Sequence, residues 1–75
     1  MIGHFKAILP FEATEPLTGN KRNVVTGEIF SVDLDRRDGS EITIAIGADY
    51  LTVKARTFDA CCQRVAMRDG AFFDL

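Results

Sequence analysis

Between residues 41 and 55 the chain alternates twice, and this stretch limits the fold more than any other. Ile42, Ile44 and Ile46 are separated by Thr43 and Ala45, and Leu51, Val53 and Ala55 by Thr52 and Lys54. Successive side chains of a strand point to opposite faces, so strict alternation marks strands with one buried side. Gly47, Ala48 and Asp49 between the two runs leave room only for a tight turn. The chain is therefore expected to build on this hairpin, whose isoleucine face requires cover.

The flanking residues supply shorter pieces. Residues 4–9 read as a first strand, with Phe5, Ala7 and Leu9 on one face and Pro10 at its end. Residues 12–23 show no periodicity and contain Pro16, Gly19 and Asn20, which predicts a long loop. Connections that long in so small a domain are commonly functional. From residue 24 to residue 34, Val25 and Ile29 are out of phase with Phe30, Val32 and Leu34. One strand bent near Thr26 and Gly27 accounts for the change. Asp38-Gly39 marks a turn before the hairpin.

Beyond Arg56 the apolar spacing lengthens. Phe58, Cys61, Cys62, Val65 and Ala66 fall at i, i+3, i+4, i+7 and i+8, predicting a helix capped by Thr57 and ended by Asp69-Gly70. Residues 71–75 then form a short last strand at a sheet edge. The expected architecture is one small α+β domain over residues 1–75. A sheet of about four or five antiparallel strands carries a single helix near the C-terminus. The order of elements also resembles that of SH3-like small β-barrels, with a long first connection and a helical turn before the last strand. That resemblance implies a closed barrel as the alternative fold.

Composition narrows function by exclusion. At 47% hydrophobic and 27% charged residues the chain is of the globular class. Nine basic and eleven acidic residues leave a net charge of -2, too little for a long-range pull toward nucleic acid or an anionic membrane. No apolar run approaches the roughly 20 residues of a membrane span. The N-terminal residues lack the apolar core of a signal peptide. Cys61 and Cys62 are adjacent, which disulfide geometry disfavours, and this usage points to a reducing, cytoplasmic setting.

The candidate chemical groups each have a plainer reading. Asp33, Asp35, Asp38 and Glu41 miss the spacing of a calcium loop, and Arg36 and Arg37 stand between them, so a solvated turn is expected. Cys61 and Cys62 lie on the apolar stripe with Phe58, where cysteine acts as a small hydrophobe. His4 alone cannot complete a zinc site with two adjacent cysteines. No phosphate loop or nucleophile elbow occurs. Neither catalysis nor a metal or cofactor is expected.

These exclusions leave a binding or regulatory module of accessory or inhibitor type, engaging another protein through residues 12–23 and a sheet edge. Glu15, Asn20, Lys21, Arg22, Arg36, Arg37 and Tyr50 are the expected contact residues. The edge of a short terminal strand is also open to a second copy, giving a homodimer. The alternative is a small nucleic-acid-binding domain using Lys21, Arg22, Arg36 and Arg37, with Tyr50 or Phe11 stacking on bases.

Overall fold

The computed structural model describes residues 1–36 and 39–75. Its strands are β1 (Ile2–Ala7), β2 (Phe11–Thr14), β3 (Lys21–Val24), β4 (Ile29–Asp33), β5 (Glu41–Ile46), β6 (Asp49–Lys54), β7 (Cys62–Arg68) and β8 (Ala71–Asp74). An α-helix, α1 (Ala55–Cys61), joins β6 to β7, and a 3-10 turn, Leu34–Arg36, follows β4. The strands form a single antiparallel sheet in the order β3-β2-β6-β5-β4-β1-β7-β8.

The isoleucine hairpin stands where its alternation puts it. β5 and β6 pair from Glu41–Lys54 to Ile46–Asp49, burying Ile42, Ile44, Ile46, Leu51 and Val53 on one face. Gly47 opens the two-residue turn with φ of 61°, a conformation that residues with a Cβ rarely adopt.

That buried face does not belong to a flat sheet under a helix. Phe11 on β2 and Phe30 on β4 are three strand positions apart, roughly 14 Å in a flat sheet. Their ring centroids are 6.1 Å apart. The sheet curls until its apolar face meets itself, and one core draws on β1 to β6 together with α1. Phe58 of α1 plugs the open end, with its ring 4.8 Å from Phe5 and 6.5 Å from Phe30.

The expected sheet of four or five strands is thus corrected to eight, for three local reasons. Residues 12–23 are mostly a hairpin rather than a loop: β2 and β3 pair from Phe11–Val24 to Thr14–Lys21, turning Phe11, Ala13 and Val24 inward. The segment read as one bent strand is broken in two by a turn at Thr26-Gly27, so β3 and β4 are separate strands. The long helix is cut to seven residues, beginning at Ala55 without a side-chain cap. Cys62 is already extended, at φ -122° and ψ 145°. Residues 62–68 pair with β1 on one side, a long-range contact, and with β8 on the other through a tight hairpin, and these pairings override the helical spacing.

Asp69-Gly70 does not end a helix. With φ of 49° and 78° it is the turn of the β7–β8 hairpin, as expected of an Asp-Gly pair with both φ angles positive. Nor does the sheet close into a barrel by hydrogen bonds: β3 and β8 are its two ends. Among the described residues no helix is long and apolar enough to cross a membrane.

Ile44 is fully buried at the centre of this core, whereas Leu17 at the β2–β3 turn is 97% exposed. Ile44→Ala is expected to cost about 2–5 kcal/mol of stability and Leu17→Ala less than about 0.5 kcal/mol, read from urea unfolding midpoints.

Candidate interaction surface

A sheet with two free edges must keep both from pairing indiscriminately, and charge at an edge is the usual means. β3 follows this rule: Lys21 and Asn23 are exposed, Arg22 half-buried, and only Val24 is apolar. β8 does not. Its sequence is Ala-Phe-Phe-Asp, all four residues are exposed, and Phe72 and Phe73 point to opposite faces by strand alternation. Phe73 is 53% exposed and Met67, directly opposite Phe72 on β7, is 58% exposed.

The hydrogen bonding of β8 follows from its hairpin. Leu75 N–H donates to Arg64 C=O, and the closing pair of the turn is Arg68–Ala71. In an antiparallel ladder bonded and non-bonded pairs alternate, so Ala71, Phe73 and Leu75 bond inward to β7. The main-chain groups of Phe72 and Asp74 face outward.

The side of β8 that carries Phe72 is anchored. His4, Val65 and Asp74 lie in one row across β1, β7 and β8. The His4 ring sits 5.5 Å from the Phe72 ring, and Lys6 Nζ donates to Asp74 Oδ1 at 2.8 Å. Together they cover Val65, which is buried apart from the main core. The strand is therefore held in place with its edge presented.

The residues expected to make contacts are distributed differently. Glu15 and Asn20 shape the β2–β3 turn: Glu15 N–H donates to Asn20 C=O at 2.8 Å, and Asn20 N–H to Thr18 Oγ1 at 3.2 Å. Lys21 Nζ reaches Thr14 Oγ1 at 3.3 Å. Arg22 is drawn inward, its guanidinium 3.3 Å from Glu28 Oε1 and 3.6 Å from Asp49 Oδ2, tying β3 to the turn before β4 and to the start of β6. Tyr50 is exposed on the face of β6 opposite to Asp49, so it does not stand beside Arg22. Phe11 is buried and offers no stacking surface. Arg36 ends the 3-10 turn, and its side chain, with Arg37 and Asp38, lies outside the described residues. No reasoning from charge pointed to β8, yet adjacent aromatics after an Asp-Gly turn were the available signal.

The remaining clusters have structural roles. Cys61 and Cys62 are free and pack half-buried against the core. Burial, and then the nearby negative charge of Cys61 and Asp59, pushes the Cys62 thiol up to about 12. His4 pairs with Val65 and Cys62 with Ala7, so His4 and Cys62 lie on opposite faces and form no catalytic pair. A cavity of about 170 Å³ floored by Phe5 and Phe58 opens between Asp33 and Asp59. A shallower one of about 400 Å³ lies by Lys54 and Arg56. Among the described residues no three metal-ligating side chains converge.

No family model, curated protein or solved structure matches the chain.

Against an ordinary thiol near 9.0, a thiol near 12 has on the order of 10³-fold less thiolate at pH 8. Cys62 is therefore expected to resist iodoacetamide in the folded protein and react readily in urea. The folded thiol keeps its proton where the unfolded one, titrating near 9.0, has lost it. Stability should accordingly fall as pH rises from 9 toward 12, and Cys62→Ala should flatten that fall in pH-dependent urea titrations.

Proposed function

We propose that the chain is a non-catalytic protein-binding module that takes an extended strand of its partner along β8. The observation that carries this reading is the contrast between the two sheet edges. β3 is guarded by Lys21 and Arg22, whereas β8 presents outward main-chain groups at Phe72 and Asp74 with an exposed ring on each face. Adding a strand continues both faces of a sheet at once, so it is the single contact that covers Phe72 and Phe73 together. Main-chain hydrogen bonds supply affinity in this mode, and alternate side chains supply selectivity.

The residues at 12–23 contribute less in this reading. Arg22 already has Glu28 and Asp49 as counter-charges, which lowers its attraction for a protein carboxylate or a phosphate alike.

Selection of random peptides displayed on phage against the immobilised protein tests the proposal. The expected winners are extended, apolar sequences whose binding slows amide exchange at Phe72 and Asp74. Protection mapped instead to residues 15–24 would count against it. So would oligonucleotide binding at low salt that is lost in Lys21→Ala or Arg22→Ala.

A further inference from the structure

We infer that the strand taken up by β8 is β8 of a second copy, related by a two-fold axis that passes between Phe73 and its own copy. This inference rests on the reading of β8 as the binding edge. Two antiparallel strands related by a two-fold axis normal to the sheet pair residues of the same face, so the axis passes between one residue and its own copy. Ala71 adjoins the turn, and an axis there would set Phe73 against Asp69, which leaves three positions of β8.

An axis through Asp74 sets two carboxylates directly opposite each other, which is unfavourable. An axis through Phe72 sets Asp74 against Gly70, whose φ of 78° belongs to the turn. An axis through Phe73 sets Phe72 of each copy opposite Asp74 of the other, the two residues whose main-chain groups face outward. Both become hydrogen-bonded pairs, and every outward group of the strand is used.

The side chains agree with this register. On one face the two Phe73 rings meet across the axis as a non-bonded pair, the closer kind. Each is backed by Ala66 of its own β7, small enough to leave the rings room. On the other face Phe72 lies beside Asp74 of the second copy. That carboxylate already holds Lys6 at 2.8 Å, so no lone charge is covered, and the ammonium is brought toward the aromatic ring. A net charge of -2 per chain opposes pairing only weakly.

Area sets the strength of the contact. The exposed parts of Met67, Phe72, Phe73 and Leu75 amount to roughly 400 Å² per copy when a large apolar side chain offers about 150–250 Å². A pair then covers about 800 Å² of side-chain surface, short of the ~1,200–2,000 Å² of stable complexes. The dimer is expected to form at high micromolar protein and to dissociate on dilution.

Sedimentation velocity of the whole chain from low micromolar to near-millimolar concentration tests this. The expected result is a reversible rise from 8.3 kDa toward twice that mass. Phe73→Lys, which puts two cations at the axis, should abolish the rise, and Leu17→Lys, at the far hairpin, should leave it unchanged. Far-UV circular dichroism checks that each variant is folded. Should Phe73→Lys not fold, contacts between labelled and unlabelled wild-type copies, read by isotope-filtered NMR, must appear at Phe72 and Phe73. A rise that survives in folded Phe73→Lys, or inter-copy contacts confined to other strands, overturns the inference. A monomer at every concentration that still takes displayed peptides along β8 overturns the second copy and leaves strand addition standing. A monomer that takes none overturns both.

Discussion

One apolar face has to be buried against itself, and the rest of the structure follows from that demand. Among the described residues a single seven-residue helix is too little to form a second layer over the sheet. The sheet answers by curling until Phe11 meets Phe30, and Phe58 on α1 seals the end against Phe5 and Phe30. Their tilted, edge-on contacts are the arrangement that aromatic pairs favour, and they add to the stability gained from burial alone. Arg22 closes another margin of the sheet through Glu28 and Asp49, joining β3 to the turns on either side of β4 and β5.

The same curl explains why β8 is left uncovered. The core reaches β7 at Cys62, opposite Ala7, and goes no further along that strand: Arg64, Met67 and Arg68 are exposed. β8 is attached to this overhanging part of β7. On one face it gains the small cluster around Val65, and on the other it gains nothing. A strand so placed would ordinarily carry lysines. Its two phenylalanines are costly on a free monomer and become understandable when another strand extends the sheet. A device for holding β8 rigid, the Lys6–Asp74 pair with the His4–Phe72 contact, fits an edge presented to a partner.

The hairpin of residues 41–55 was legible in the sequence because its two strands alternate without a break and its turn carries glycine. Residues 62–68 were not. Phe58, Cys61, Cys62 and Val65 satisfy a helical spacing, while Gln63, Val65 and Met67 equally satisfy alternation. The choice between them is made by β1, which is far away in the chain, and by the hairpin with β8 that follows. The β2–β3 hairpin escaped notice for a different reason: each strand has four residues and turns only one or two apolar side chains inward, too few to set a period. A charge in the sequence does not show whether a partner within the fold already holds it. Arg22 has its partners in Glu28 and Asp49, which no local pattern announces, whereas the uncompensated surface is apolar and sits at the other end of the sheet.

Amide exchange along β8 as a function of protein concentration bears most directly on the pairing of two copies. Phe73, bonded inward to β7, should be protected at every concentration. Phe72 and Asp74 should be protected in concentrated protein and lose that protection on dilution, in step with dissociation. Phe72 and Asp74 exchanging freely at all concentrations, or staying protected in dilute monomer, would contradict it.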